Sequence, residues 1–307
     1  MSTPISCPIC GGGLQPTGIE TVDRMVAAPG VFTVRECRAC QYGITVPQLR
    51  AAELGEHYAE TYYESYYEHS VDRPSLLSRL RGFLRERGAE RRQSRAPYRL
   101  DGVAPGKVLE VGCGNGELLA HYATHRWKAY GLDPSGAAVA AAARRGAEVH
   151  EGTLDDQPWV DKRFDLIIFQ HSLEHIPEPI AALEKARDLL APGGRIIVDV
   201  PNWASWQRSA FGNRWVMLDL PRHLQHFSPR ALERSARKLD MKALELGTNS
   251  NAIATAYSVH YLIAGRWTPG WKLWLSYAIS LPLLPFVWAC DRLRGGDSCY
   301  TVMVRNG

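Results

Sequence analysis

The stretch that most constrains this chain of 307 residues is KVLEVGCGNGELLAHYATHRWKAYGLD, residues 107–133. Val108, Leu109 and Val111 read as a buried strand running into Gly112-Cys113-Gly114-Asn115-Gly116. The spacing predicts a helix from Glu117 and a second strand ending at Asp133. Glycines directly after a strand let the backbone turn sharply and approach a ligand that a Cβ would exclude. An acid about 20 residues further on, at the tip of the next strand, is placed to take the two hydroxyls of a ribose. The pattern predicts a Rossmann-like βαβ unit that holds a nucleoside cofactor.

Charge narrows the cofactor. A dinucleotide site wants a third glycine or an alanine where this chain has Glu117, so that a pyrophosphate can reach the helix N-terminus. Glu110 adds a second acid just before the first glycine. Two carboxylates repel a pyrophosphate but suit a ligand with a ribose, no phosphate and a cationic amino-acid end. S-adenosylmethionine has that chemistry. The run Glu110-Val-Gly-Cys-Gly-Asn-Gly116 resembles the first motif of the class I S-adenosylmethionine-dependent methyltransferases. The resemblance implies that Glu110, Gly112, Gly114, Gly116 and Asp133 bind the cofactor.

Strands and helices go on alternating. A helix is expected over 135–146, a strand over 147–150, an apolar strand over 164–169 and a helix over 179–190. A turn is expected at Ala191-Pro-Gly-Gly194, then a strand over 195–200, with a final pair from 241–248 and 297–305. This alternation implies a mainly parallel, doubly wound α/β sheet. The segment FDLIIFQHSLEHIPEPIAALEKARDLLAPGGRIIVDVPN is similar to the central part of the same family, which has a seven-stranded sheet. That likeness implies that Asp155 or Asp156 sits near the adenine and that Gln170 lines the cleft. His171-Ser-Leu-Glu174-His175 also spells an inverted zinc-hydrolase motif, which needs both histidines on one face of a continuous helix. Pro177 and Pro179 follow closely, so the segment is read as a substrate-side loop at the carboxyl edge of the sheet.

Cys7-Pro-Ile-Cys10 and Cys37-Arg-Ala-Cys40 are paired knuckles separated by 26 residues. Two such pairs complete a tetrahedral zinc site, and four thiolates leave no open position, so the expected ion is structural. Disulfides are disfavoured because the N-terminus lacks a charged region followed by an apolar run, and a cytoplasmic location is expected. Cys113, Cys290 and Cys299 have no spacing partner. Some members of the family with a ribbon ahead of this fold act on deoxysugars and some on ribosomal RNA. The ribosomal type usually has a histidine and a shorter gap, and neither is found here.

Between ribbon and cofactor unit, tyrosines at 58, 62, 63, 66 and 67 make an aromatic helix face. Residues 72–100 carry nine arginines against three acids, which fits RNA, an anionic membrane or a solvated helix face. A net charge of +4 lacks the pervasive basicity of a dedicated nucleic-acid binder, so a nucleic-acid partner is not expected. Further on, Trp215-Val-Met-Leu-Asp-Leu-Pro-Arg-His223-Leu-Gln-His226-Phe-Ser-Pro229 resembles WxxLDxPRHLxHFSP of a subgroup related to ubiquinone-type O-methyltransferases. Methyl transfer from a sulfonium needs alignment and removal of one proton. His223 is the first candidate base, with His226 and His175 in reserve; a backbone-bonding role for these histidines is the alternative. Residues 252–265 and 273–290 are uncharged limbs joined by a Trp- and Arg-bearing turn. They suggest a helical hairpin, lying in a membrane interface or folded over the cleft as a lid.

The expected organisation is a zinc ribbon at 1–50, a helical linker at 51–100 and the methyltransferase unit at 101–307, with the insertion at about 251–294. The expected activity is methyl transfer, most simply to a hydroxyl of a small molecule, sugar or lipid-linked acceptor. An RNA methyltransferase and a non-catalytic scaffold are the two alternatives.

Overall fold

The alternating apolar pattern of the chain becomes one seven-stranded sheet in the computed structural model, which describes residues 6–49, 51–58, 97–98, 103–156, 158–250, 252–268 and 295–306, with short pieces between 278 and 293. The elements in order are β1 (Gln15–Thr21), β2 (Phe32–Cys37), β3 (Tyr42–Val46) and α1 (Ala51–Gly55). Next come β4 (Lys107–Val111), α2 (Glu117–Thr124), β5 (Lys128–Asp133), α3 (Gly136–Ala143) and β6 (Glu148–Glu151). They are followed by β7 (Phe164–Gln170), α4 (Pro179–Asp188), β8 (Leu190–Pro201), α5 (Trp206–Phe211) and β9 (Gln225–His226). The last are α6 (Pro229–Lys238), β10 (Met241–Asn249), α7 (Ala252–Ala264) and β11 (Ser298–Arg305).

The large sheet runs β10-β11-β8-β7-β4-β5-β6. Its five strands from β8 to β6 are parallel, and β11 inserts antiparallel between β8 and β10. Adjacent side chains of a strand point to opposite faces, and the core divides accordingly. Leu109, Val111, Ile167, Phe169, Ile196 and Val198 join one buried cluster, while Val108, Leu166, Ile168 and Ile197 join the other. Apolar residues on both faces are what a strand sandwiched between helices requires, and each such side chain contributes about 1.5–3 kcal/mol on burial.

The helices begin where the sequence supplies caps. Ser135 accepts from the Ala138 amide at the start of α3, and Ser228 accepts from the Ala231 amide with Pro229 in the first turn of α6. The turn expected at 191–194 lies inside β8. The β7 pairing jumps from Phe164↔Leu190 to Leu166↔Arg195, so these residues form an irregularity within one ladder, with Gly193 at φ 75°.

The small sheet has the order β1-β2-β3-β9. Its fourth strand comes from the later part of the chain: Gly43 pairs with His226 and Ile44 with Gln225. Ribbon and substrate-side loop thus share a sheet.

Within the insertion, α7 buries Ala254, Thr255, Ala256, Ser258, His260 and Tyr261 and packs on α5 and the turns at 212–218. Leu262 and Ile263 remain exposed at 50% and 74%. No helix among the described residues is long and apolar enough to cross a membrane. Most of the second limb, the tyrosine-rich stretch beyond Tyr58 and the arginine-rich stretch apart from residues 97–98 lie outside the described residues.

Candidate active site

The glycine turn at the carboxyl end of β4 is held from three sides. Gly112 has φ +77°, its amide donates to the Leu132 carbonyl at 2.8 Å, and a Cβ there would stand 2.5 Å from that of Ser172. Ser172 Oγ donates to the Val111 carbonyl at 2.5 Å, which ties the segment after β7 to this turn. Gly114 adopts φ +50° and its amide donates to Asp133 Oδ2 at 2.9 Å. Gly116, at φ +73°, opens α2 and would bring a Cβ within 2.7 Å of Ala142. Left-handed backbone and close approach together make glycine necessary at 112 and 116.

Glu110 is buried, and its Oε2 accepts no hydrogen bond among the described residues. Burial pushes its carboxyl well above the usual range, and the charges of Asp133 and Glu117 push further the same way. A buried acceptor left open beside a bare backbone turn fits a ligand that brings a cation. Asp133 is half-buried at the tip of β5, with its second oxygen accepting from the Ser135 amide at 2.9 Å. Burial raises it too, against the pull of the Ser135 and Gly114 amides. Gln170 ends β7, half-buried. Asp155 does not turn inward: its exposed carboxylate pairs with Lys185, while Asp156 accepts from the Thr153 amide at 2.6 Å.

On the other side of the same edge, Ser172 leads into a single 3-10 turn, Leu173–His175. The turn is too short to put His171 and His175 on one helix face, so the inverted zinc-hydrolase geometry is not formed. Glu174, His175 and His223 come together here instead, one donor atom of each lying within 4.8 Å of the others. The imidazoles of His175 and His223 meet edge to face at 4.7 Å. His175 Nδ1 lies 3.0 Å from the Arg222 carbonyl and 2.9 Å from the Tyr58 hydroxyl, and His223 Nδ1 lies 2.9 Å from the Met217 carbonyl. A carbonyl only accepts, so both rings carry a proton on Nδ1. Burial and the His223 charge push His175 down to about 4, so it is neutral near pH 7. Burial pushes Glu174 up, but His171, His175 and His223 around it hold it below the ordinary carboxylate range.

His226 stands apart by its partners. It sits in β9 against the ribbon, its Nε2 lies 2.9 Å from Thr45 Oγ1 and its ring is 4.8 Å from Trp203. Burial holds it well below its ordinary value, with the charges of His223 and Arg208 adding to that.

The loop carrying these histidines is fastened to the ribbon by Arg222. Its guanidinium donates to both oxygens of Asp23, at 2.9 and 3.0 Å, and to Asp219 at 2.6 Å and to the His57 carbonyl at 2.9 Å. His57 Nδ1 lies 2.7 Å from Asp23 Oδ2. Thr45 Oγ1 donates to the His223 carbonyl at 2.6 Å. Sequence reasoning had Asp219 and Arg222 only as letters of the WxxLDxPRHLxHFSP segment and did not join them to Asp23, because no spacing links residues 199 positions apart.

At the far end of the ribbon, the sulfurs of Cys7, Cys10, Cys37 and Cys40 lie within 4.8 Å of one another. A Cβ on Gly12 would stand 3.2 Å from Cys37 Sγ and 3.4 Å from Cys10 Sγ. Four sulfurs around a glycine-cleared space fit a tetrahedral ion of the zinc type.

A β-sheet of this order, with its antiparallel strand inserted beside β8 and a glycine turn at the carboxyl end of its first strand, defines the class I S-adenosylmethionine-dependent methyltransferases. Residues 74–246, more than half of the chain, match the family described as methyltransferase domain, and the chain belongs to it. It is an S-adenosylmethionine-dependent methyltransferase. Ubiquinone biosynthesis O-methyltransferase of Alkalilimnicola ehrlichii is 29% identical over 204 residues, 56% of this chain and 81% of that one. The protein of the same name from Aromatoleum aromaticum is 25% identical over 196 residues, 55% of this chain and 84% of that one. Magnesium protoporphyrin IX methyltransferase from Synechocystis PCC 6803, solved with bound S-adenosylhomocysteine, shares the fold. Its TM-score is 0.52 at 13% identity, covering 84% of this chain and all of that one.

Proposed function

We propose that the enzyme methylates a hydroxyl of a small-molecule, sugar or lipid-linked acceptor. The observation that carries this reading is the buried group Glu174, His175 and His223, set beyond Ser172, whose side chain touches the glycine turn. The O-methyltransferase names of the similar curated proteins support it. In this reading Asp133 takes the ribose hydroxyls, Glu110 faces the amino-acid end, Gly112, Gly114 and Gly116 give the backbone room, and Gln170 lines the cofactor cleft. S-adenosylmethionine supplies a methyl group on a cationic sulfur. This chain holds the acceptor oxygen in line with it and accepts the proton the hydroxyl loses. His223, whose Nε2 lies 3.9 Å from Glu174 and 4.0 Å from Asp219, is the first proton acceptor, with His175 and His226 in reserve. Zinc on Cys7, Cys10, Cys37 and Cys40 has a structural role, holding the ribbon that in turn holds the His223 loop. The exposed Leu262, Ile263 and Phe286 support an apolar acceptor or peripheral contact with a membrane face through 252–290.

The test is transfer of labelled methyl from S-adenosylmethionine into extract fractions: phenolic and sugar metabolites, lipids and RNA. Label in a low-molecular-weight or lipid hydroxyl is expected, with His223→Ala lowering turnover by about 10²–10⁴-fold at little change in cofactor affinity. Label confined to RNA would refute the reading.

A further inference from the structure

We infer that Arg234 of α6 is part of the ribbon's ion site: its guanidinium hydrogen-bonds the Cys40 sulfur and offsets charge there, so the ion fastens the ribbon to α6 as well as holding the ribbon together. The inference rests on the proposed ion at the four cysteines and adds to it a positioning residue from outside the ribbon.

Charge is the first argument. Zinc binds cysteine as the thiolate, so one dipositive ion among four such ligands leaves a formal charge of about −2. Buried charge is costly unless it is paired or hydrogen-bonded. Cys7, Cys37 and Cys40 are 2%, 1% and 0% exposed, and only Cys10 reaches the surface. The structure supplies a cation at the most buried of the four. Arg234 Nη1 donates to Cys40 Sγ at 3.5 Å, across 194 positions of sequence. Among the described residues Arg234 has no carboxylate within ion-pair distance, and its neighbour Glu233 pairs with Arg237 instead. The sulfur is therefore its charged partner, and a hydrogen bond between ionised groups is about twice as strong as a neutral one.

Packing is the second, independent argument. Cys7, Cys37 and Cys40 belong to the same buried cluster as Phe227, Ala231, Leu232 and Ala236, so the ribbon knuckles and α6 share one apolar core. The start of that helix bonds the same cysteine a second time. Ser228 Oγ donates to the Cys40 carbonyl at 3.2 Å while it accepts from the Ala231 amide at 3.1 Å. Cys40 is thus held at its carbonyl by the cap of α6 and at its sulfur by a side chain further along. β9, just ahead of the helix, pairs with β3 just after Cys40. Because these contacts converge on an ion ligand, ion affinity and ribbon docking are linked, and each strengthens the other by the same factor.

The test is zinc release from the full-length chain to a chromophoric chelator, alongside the absorption of the cobalt-substituted protein. Arg234→Met should weaken the ion by about tenfold or more, the range for partners that hydrogen-bond a metal's ligands. The intense sulfur-to-cobalt band should also move to longer wavelength, because that transition takes an electron from sulfur and the neighbouring cation opposes it. Arg234→Lys keeps the charge but not the planar fork, and should fall between the two. Arg237→Met removes an exposed charge from the same helix and should match wild type. S-adenosylhomocysteine binding checks that each variant is folded; should Arg234→Met fail that check, Arg234→Lys carries the same two readouts. Equal affinity and equal band position in wild type and Arg234→Met would overturn the inference and leave the ion site. Affinity lowered with the band unmoved would assign Arg234 to packing alone and overturn it too. A wild-type chain that binds no ion on its cysteines would remove both the site and the inference.

Discussion

Replacing Arg222 with methionine tests how the ribbon is joined to the methyltransferase unit. The Arg222 and Asp23 side chains are wholly buried and Asp219 is 11% exposed. Methionine keeps most of the volume but leaves two carboxylates without their cation. Breaking a buried pair from one side costs about 3–5 kcal/mol, whereas an exposed pair is worth about 0–1 kcal/mol. Urea unfolding of the full chain, followed by tryptophan fluorescence, should therefore show a loss of about 3–5 kcal/mol. Asp23→Asn with Asp219→Asn in the Arg222→Met background should recover most of it, since the buried charges go with the cation. The effect also depends on pH. Burial alone would raise Asp23 and Asp219, but Arg222 holds both below the ordinary value. Groups depressed in this way contribute stability that is complete above the unfolded carboxylate value of about 4 and is lost as pH falls through the folded one. Wild type and variant should thus converge in acid. A loss under about 1 kcal/mol at pH 7 would refute the buried-fastener account.

Other outcomes follow from the same structure. Because Glu110 is raised by burial and a bound ammonium would draw it back down, cofactor binding should release a proton and tighten as pH rises between the two values. Calorimetry in two buffers of different ionisation heat checks this; equal heats, or release retained in Glu110→Gln, would contradict it. Stripping the ribbon of its ion should lower turnover more than it weakens S-adenosylhomocysteine binding, because β3 pairs with β9 beside His223. An unchanged rate in chelated, metal-free ribbon would separate the two. Ile263→Asp should abolish co-flotation with anionic vesicles if the insertion lies on a membrane, and wild-type protein that never floats leaves the lid packing alone.

Much of this fold is legible as local pattern. The strand of 107–111 and its glycine turn are written in adjacent residues, as are the apolar run at 164–169 and the paired cysteines, and each lies where its pattern predicts. The final pair was expected at 241–248 and 297–305 from the alternation, and its antiparallel direction comes from the structure. What local pattern does not carry is long-range pairing between ordinary residues. Nothing in Gln225-His226 announces a ribbon strand, and nothing in Asp23 announces Arg222. Glu174 was visible within His-Ser-Leu-Glu-His, but its significance depends on a loop that brings His223 beside it from almost fifty residues away. Asp155 was carried by resemblance to the adenine side, whereas its carboxylate is taken up by Lys185 on α4.

The central claim is that the turn from Glu110 to Gly116, with Asp133, holds the cofactor, and equilibrium titration with S-adenosylmethionine tests it most directly. Asp133 is the residue to change, because it anchors the Gly114 amide and is the residue proposed to take the ribose hydroxyls. Losing one hydrogen bond to a charged acceptor costs about 1.5–3 kcal/mol, which is about 10–100-fold in affinity. The wild-type chain should bind one equivalent, and Asp133→Ala should bind at least about tenfold more weakly while remaining folded by circular dichroism. Equal affinity in the two proteins, or no binding by the wild type, would contradict the account.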